Sequence, residues 1–229
     1  MAGKKQNPEF EKAAEAKEWY HETLAGKVIK ALEKNNMNGV YVKTKAAALE
    51  KALSLIPPGS QVAHGGSLTL EEIGILDIMR KSRKFRFIDR RAPGLGIGRD
   101  NATEQLRRQS LLADVFLMST NALTLDGKPV NIDGYGNRVA ALCYGPTRVI
   151  IIAGINKIVP DQEAGIQRIK DYVAPVHAKR RGRPVPCAKA GKCVDCRSEE
   201  RTCNIVTVVE RQWEKDRITV VICGEELGV

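Results

Sequence analysis

The residues whose types and spacing most clearly indicate chemistry are four cysteines close together, Cys187, Cys193, Cys196 and Cys203. Their spacing is C-x5-C-x2-C-x6-C, within the run PCAKAGKCVDCRSEERTCN. Four thiolates this close can enclose one metal ion or one iron–sulfur cluster, and Cys193-x-x-Cys196 places two sulfurs on one tight loop. The spacing therefore predicts that these four cysteines are metal ligands.

The spacing alone leaves the identity of the metal open. The outer gaps of five and six residues match neither the usual zinc ribbon nor the bacterial ferredoxin run. An all-sulfur set suits zinc and an iron–sulfur cluster equally well. A redox dithiol pair and the absence of any site are the other interpretations. Disulfides fit poorly, because the N-terminal run MAGKKQNPEFEKAAEAKEW lacks the apolar core of a secretory signal, and cytosolic thiols stay reduced.

The remaining two cysteines, Cys143 and Cys223, lie in apolar surroundings and are predicted to be ordinary buried residues.

Composition indicates a cytoplasmic protein with anionic partners. The 229 residues allow one large domain, or one domain plus an appendage, and no run of 18 apolar residues predicts a membrane-spanning helix. The net charge of +10, with arginines and lysines clustered at 80–91 and 179–183, favours phosphates, acidic proteins or nucleic acid. Nucleic acid is disfavoured, because aromatic residues make up only 5% and no binding motif is present.

Hydrophobic patterns predict strands that alternate with helices. Strands are predicted at 40–43, 61–64, 85–89, 114–119, 148–153, 205–209 and 218–223, and helices at 8–35, 45–56, 101–113, 136–144 and 160–172. Thr44 and Thr69 are predicted helix caps, the latter in a capping box with Glu72, and Pro160 is predicted to open the last helix. Asp126-Gly127 predicts a hairpin.

These elements predict an α/β fold with a mainly parallel sheet flanked by helices and one inserted hairpin. Residues 1–176 are predicted to form this domain with its N-terminal helix. Residues 177–229 would add the cysteine-rich loop and a final hairpin-like pair of strands. That pair would complete the sheet edge or form a small flanking subdomain.

A second candidate site lies away from the cysteines, on the loops HGGSLT, STNALTLDG and NIDGYGNR. The carboxyl ends of strands in an open parallel sheet gather ligands, and glycines there let the backbone approach an anion. Asp126 and Asp133 are candidate general bases or hydroxyl acceptors, and Arg138 a bidentate anion ligand. The predicted cleft comprises Gly65, Gly66, Ser67, Thr69, Asn121, Asp126, Asp133, Gly136, Asn137 and Arg138.

Each member of this set also has a purely structural interpretation. Asp126 can be only a turn residue, Ser67 only a cap, and Arg138 only a partner of Asp133. His64 at a strand end is more often a hydrogen-bonded histidine than a catalyst. The spaced glycines of APGLGIGRD do not form the dinucleotide-binding fingerprint.

The run DVFLMSTNALTLDGKPVNIDGYGNRVAALCYGPTRVIIIAGINKIV, followed by the cysteine run, resembles the LUD-domain family, which is named for lactate utilisation. The resemblance covers about residues 10–228, and STNALTLDG, NIDGYGNR, GINKIV and the cysteine loop are its most specific pieces. The chain departs from lactate utilisation protein C in carrying that loop. No glutamate stands in a coenzyme A transferase nucleophile motif, so that activity is not carried over.

The resemblance implies a fold similar to the ribose-5-phosphate isomerase and coenzyme A transferase superfamily. It also implies a role beside iron–sulfur proteins in oxidising L-lactate to pyruvate. Cysteine motifs in related LUD proteins are associated with [4Fe–4S] clusters, which favours such a cluster over zinc at Cys187, Cys193, Cys196 and Cys203.

Two functional hypotheses follow. In the first, the cysteine loop carries a [4Fe–4S] cluster, and the basic surface docks other iron–sulfur or redox proteins. In the second, the protein is an enzyme or sensor for a small anionic or phosphorylated metabolite, and the loop is a structural metal site. The sequence leaves open whether the chain is catalytic and whether it forms a homo-oligomer.

Overall fold

The centre of the molecule is a six-stranded, fully parallel sheet. The computed structural model describes residues 8–92 and 101–229, so most of the glycine-rich APGLGIGRD connection lies outside the described residues. The strands of this sheet are β1 (Asn38–Val42), β2 (Gln61–His64), β3 (Arg86–Ile88), β4 (Val115–Met118), β7 (Arg148–Gly154) and β10 (Ile218–Cys223). They lie in the order β1-β10-β7-β4-β2-β3. The predicted α/β class with a mainly parallel sheet is confirmed.

Strand β7 shows why the sheet needs helices on both faces. Ile150 and Ile152 pack into a core with residues of the helices on one side, whereas Ile151 packs with Val28 and Leu32 of the long N-terminal helix on the other. All five side chains are at most 2% exposed. A strand buried on both faces is continuously apolar, as the run VIII is.

The helices form the two outer layers. They are α1 (Pro8–Lys34), α2 (Lys45–Ser54), α3 (Leu68–Glu72), α4 (Ile75–Lys81), α5 (Asn101–Gln109), α6 (Asn137–Cys143), α7 (Gln162–Arg168), α8 (Ala174–Arg180) and α9 (Cys187–Ala190). Short 3-10 turns at Ser110–Leu112 and Ile155–Lys157 follow α5 and β7. None of the helices in the described ranges is long and apolar enough to cross a membrane.

Helix starts were predicted with mixed success. Thr44 caps α2 as expected, since its hydroxyl accepts a hydrogen bond from Ala47 N at 3.2 Å. The predicted capping box at Thr69 is wrong: Ser67 caps α3 by accepting from Leu70 N at 3.3 Å. Thr69 lies inside the helix and is buried, so its hydroxyl is directed to a tertiary contact instead.

The helix predicted at 160–172 begins and ends later than expected. Asp161, not Pro160, caps α7 by accepting from Ala164 N at 2.8 Å. A π-helical turn at Ile169–Val173 then joins α7 to α8, which extends to Arg180. This wide turn directly precedes α8, whose first turn contains Pro175, and proline has no N–H to continue the helical ladder.

A second, four-stranded sheet of order β8-β5-β6-β9 lies beside the first. Its members are β5 (Ala122–Thr124), β6 (Pro129–Asp133), β8 (Ile158–Val159) and β9 (Ile205–Val208). The predicted Asp126-Gly127 hairpin joins β5 to β6 in antiparallel pairing. The predicted pairing of the last two strands is wrong, because β9 pairs with β6 while β10 lies between β1 and β7. Four of the last five residues of β10 are buried, which suits a central strand rather than an edge.

The two cysteines outside the loop differ in exposure. Cys223 is fully buried in β10, as predicted. Cys143 is exposed, so the prediction that it is buried is wrong. Cys143 is the last residue of α6, where the helix turns its final residue away from the core that holds Ala141 and Leu142.

Gly127 is required by the packing of the hairpin against α1. Its φ is +78°, and an added Cβ would lie 2.6 Å from Leu32 N. We expect Gly127→Ala to lower the free energy of unfolding by about 2–3 kcal/mol, from backbone strain plus steric overlap. Gly59→Ala is the matched control, because Gly59 has φ +79° and open space around it, so only the strain of roughly 1 kcal/mol applies. Urea unfolding of both variants measures the difference, and equal losses would show that the hairpin does not press on α1.

Candidate functional site

A cavity of about 520 Å³ opens at the carboxyl ends of the parallel strands. Gly66 and Ser67 follow β2, Arg90 and Arg91 follow β3, and Ser119 follows β4 on its wall. The residues after β7 and the start of the second sheet complete it. This is where an open α/β sheet gathers ligands, because the loops after successive parallel strands meet at one edge.

The described wall of this cavity is strongly cationic. Asp133 is the one acidic side chain among the lining residues that the structure describes. His177 also lies on the wall. The lining cations are Arg90, Arg91, Arg107, Arg138, Lys157, Arg180, Arg181 and Arg183. Such an excess of positive charge in a partly closed space favours a ligand with negative charge.

The cations on the wall lie close enough to disfavour one another's charge. Burial, followed by the positive charges of Arg180 and Arg181, lowers the pKa of His177 to about 4. Burial, followed by Arg91 and Arg107, lowers the pKa of Arg90 to about 10. A bound anion would relieve this repulsion, so the cavity is electrostatically suited to one.

Glycine at position 66 lets two guanidinium groups approach the backbone. An added Cβ there would lie 2.5 Å from Arg91 Nη2 and 2.6 Å from Arg90 Nη2. Arg90 Nε donates to His64 O at 3.3 Å, and Arg91 forms an ion pair with Glu71. The absence of a side chain at Gly66 therefore leaves room for the side chains of Arg90 and Arg91 beside the loop after β2.

Arg138 lies on the wall, but the protein already satisfies its guanidinium. Nη1 donates to Ser119 O at 3.3 Å and to the side chain of Asn131, while Nη2 donates to Ile132 O at 3.0 Å and to Asn121 Oδ1 at 3.2 Å. These bonds tie the end of β4 to β6 and to the loop between them. The buried guanidinium thus holds the wall in shape.

Asp133 and Asp126 have different positions. Asp133 ends β6 at the cavity, where its carboxylate accepts from Gly134 N at 3.0 Å and from Arg138 N at 3.1 Å. Asp126 lies in the hairpin turn, outside the cavity wall, and contacts Thr124 and Lys128. The hairpin runs away from the sheet edge, so its open end reaches the cavity and its turn does not.

Some of the other predicted residues line the cavity and others do not. Ser67, Thr69, Asn121 and Asn137 lie on the wall together with Gly66. Gly65 and Gly136 are not lining residues. Gly65 lies behind the wall, where an added Cβ would be 3.1 Å from the aliphatic stem of Arg138, and Gly136 precedes α6 with φ +84°.

His64 is a hydrogen-bonded buried histidine and does not line the cavity. Its Nδ1 lies 3.0 Å from Gly65 O, and its Nε2 lies 3.1 Å from Asp89 Oδ1. The ring also stacks on Phe87, with centroids 5.3 Å apart.

Lys157 is one of the residues of this site that the sequence analysis missed, together with His177 and every lining arginine except Arg138. It is 4% exposed, and its Nζ donates to Thr69 Oγ1 at 3.1 Å, Ser119 Oγ at 3.0 Å and Thr120 O at 3.4 Å. Burial, followed by the charges of Arg168 and Arg138, lowers its pKa to about 7. The usable signal was a lysine inside the apolar run IIIAGINKIV, directly after a buried strand.

The four cysteines of the predicted metal site lie on one segment that begins at α9 with Cys187 and reaches the cavity wall at Cys203. All four thiols are free and half-buried. Asp195 N donates to Cys193 Sγ at 3.3 Å, from a turn in which Asp195 has φ +45°. Burial, followed by the thiols of Cys196, Cys203 and Cys193, raises the pKa of Cys187.

Two observations bear on whether this loop suits a metal. Within residues 8–92 and 101–229, no three His, Cys, Asp or Glu side chains are arranged as metal ligands. The chemistry of the donor set nevertheless suits an iron–sulfur cluster or zinc, because four free thiols lie close together in the sequence and one receives a backbone N–H bond of the kind that stabilises thiolates. Arg201 braces the loop by donating to Cys196 O and Cys203 O.

Fold and cavity together define an α/β protein with a parallel sheet flanked by helices and a cationic cavity at the strand ends. The family model of the LUD domain matches residues 25–223, so the chain belongs to the LUD-domain family, which is associated with lactate utilisation. No curated protein matches the chain. Among solved structures, a DUF162 family protein from Deinococcus radiodurans is similar, with 12% identity, a TM-score of 0.49, and coverage of 89% of this chain and 98% of that one.

Proposed function

We propose that this protein is an iron–sulfur-binding electron-transfer component in the oxidation of L-lactate or a similar hydroxy acid. The cationic cavity binds the small carboxylate, and the cysteine loop carries a [4Fe–4S] cluster. The observation that carries the proposal is that Cys203 and Thr202 of the loop lie on the wall of the cationic cavity. One end of the cysteine loop therefore borders the cavity to which we assign the anion.

The cavity supports the anionic half of this proposal. Arg180 and Arg181 line it at the end of α8, and neither forms an ion pair with any carboxylate in the described part of the chain. A carboxylate can receive paired N–H bonds from a guanidinium, which is stronger and more directional than a contact with an ammonium group.

The loop supports the redox half. A [4Fe–4S] cluster held by Cys187, Cys193, Cys196 and Cys203 would supply one-electron redox chemistry. Thiolates carry negative charge, and the basic side chains on the same loop moderate it: Lys189, Lys192, Arg197 and Arg201. Basic surface around the loop would also attract an acidic redox partner.

Anaerobic purification and a visible absorption spectrum test the cluster. We expect broad absorption near roughly 400 nm that bleaches with dithionite, together with bound iron and acid-labile sulfide. Cys193→Ser and Cys196→Ser should each abolish the absorption, because one thiolate ligand is lost. Cys143→Ser is the matched control, since Cys143 is exposed and lies outside the loop.

The contrary outcomes are specific. Full iron content in both loop variants, or loss of iron only in Cys143→Ser, would refute the assignment of the cluster to the loop. Stoichiometric zinc without colour would replace the cluster with a structural metal.

The second candidate is an enzyme or sensor for a larger phosphorylated metabolite, with the loop as a structural zinc site. The cavity favours it, because about 520 Å³ is within the range of sites for drug-sized ligands and exceeds the needs of lactate. Binding of a sugar phosphate far more tightly than lactate, with zinc in the loop, would select this alternative.

A further inference from the structure

We propose that Lys157 is the reactive amine of the cavity, and that its Nζ forms an imine with a small carbonyl compound carrying a carboxylate or phosphate group. The inference rests on the proposed anion-binding role of the cavity. It adds a covalent step at a residue that neither the cysteine loop nor the predicted cleft includes.

The position of Lys157 supports this role. It ends the turn Ile155–Lys157 after β7 and lines the cavity, although the residue is 4% exposed. Arg90 and Arg181 also lie on the wall of this cavity. A ligand whose anionic group binds the arginines can present a carbonyl carbon to Nζ.

The partners of Nζ permit an uncharged amine. They are two hydroxyls, of Thr69 and Ser119, and the carbonyl oxygen of Thr120. A hydroxyl donates as well as accepts, so either one can rotate and donate to the lone pair of a neutral amine. Glu72 is the carboxylate that acts on Lys157 at longer range, and one of its oxygens already accepts from Gly228 N at 2.7 Å.

Lys128 shows the opposite environment in the same molecule. Its Nζ lies 2.6 Å from Glu210 Oε2 and 3.1 Å from Asp126 Oδ2, and hydrogen bonds to these carboxylates raise its pKa. The pKa of Lys157 is instead lowered to about 7, first by burial and then by Arg168 and Arg138. Near neutral pH, Lys157 therefore has a much larger nucleophilic fraction than Lys128, and a bound anion reduces that fraction without removing it.

The step balances without an oxidant or reductant. The Nζ lone pair attacks the carbonyl carbon to give a carbinolamine, in which a C–N bond forms and the C–O double bond becomes single. Loss of water then forms the C=N bond, and the departing oxygen takes both amine protons. The hydroxyls of Thr69 and Ser119 contact Nζ and can pass these protons.

Reductive trapping with peptide mapping tests the inference. Wild-type protein is incubated at pH 7 with cyanoborohydride and either pyruvate or glycolaldehyde phosphate, which separate a carboxylate ligand from a phosphate ligand. We expect the adduct on Lys157 to exceed that on Lys128 at least ~10-fold, because of the difference in neutral fraction. Lys157→Met and Lys157→Arg should lose this adduct, and Lys128→Met should keep it.

Two results would overturn the inference. One is no adduct on Lys157 with either compound. The other is labelling of Lys157 no greater than that of Lys128. The test relies on the peptide map of the wild-type protein, so it remains valid even if Lys157→Met fails to fold. Calorimetric titration of both compounds separates the two claims: binding without trapping refutes the imine alone, and absence of binding refutes the anion site of the proposed function.

Discussion

Arg138→Lys should lower the free energy of unfolding by about 3–5 kcal/mol, although the charge is kept. Arg138 is buried, with 9% of its surface exposed, and it donates to Ser119 O, Ile132 O and the side chains of Asn121 and Asn131. Lysine has three N–H donors on one atom and cannot span four acceptors on two sides of a planar group. At least one buried acceptor would lose its partner, and a compact charge would be left poorly solvated.

Urea unfolding with a matched substitution measures this loss. Arg108→Lys is the control, because the Arg108 side chain is 78% exposed and forms a single i,i+4 ion pair with Glu104. That change should cost less than about 0.5 kcal/mol. A loss below roughly 1 kcal/mol for Arg138→Lys would mean that the four contacts do not hold the wall, and the guanidinium would again be a candidate anion ligand.

The parts of the fold that local chemistry determines could be predicted from the sequence. Thr44 precedes a helix at cap spacing, and Asp126-Gly127 supplies a turn that needs φ > 0, so both features appear where expected. The alternation of buried strands with helices likewise predicted the parallel sheet. The position of β10 was missed, since nothing in ITVVIC identifies the strands that lie beside it.

The sequence predicted those residues of the candidate site that lie on loops directly after strands, and it missed the others. Thr69 does line the cavity, but the sequence predicted it as a helix cap, whereas in the structure it accepts a hydrogen bond from Lys157. Lys157 itself is 88 residues from Thr69 in sequence. Arg180 and Arg181 were read only as part of a basic cluster, because the helix that brings them to the cavity was predicted to end at 172. Side chains that reach a site from separate elements leave no local pattern.

The charge of the cavity gives the other large expected effect. Arg181→Glu should weaken sulfate binding about 10–100-fold, because it removes one charged hydrogen-bond donor and places a carboxylate on the wall. Arg83→Glu makes the same change of charge on an exposed residue outside the cavity and should have little effect. Calorimetry at two ionic strengths measures both, and equal weakening in the two variants would show that only the net charge of the protein attracts sulfate.

The pH dependence of sulfate binding provides an independent test of the same site. The pKa of His177 is lowered to about 4 by burial and then by Arg180 and Arg181, and that of Lys157 is lowered to about 7. A bound anion favours the charged form of each group and so raises both pKa values, which means that binding takes up protons. The affinity for sulfate should therefore fall as pH rises through 7, where Lys157 loses its proton. It should increase as pH falls from about 6.5 towards 4, where His177 gains a proton. His177→Gln should remove the acidic increase and retain the loss near pH 7. Affinity that is constant from pH 4 to 8 would mean that sulfate binds away from these residues.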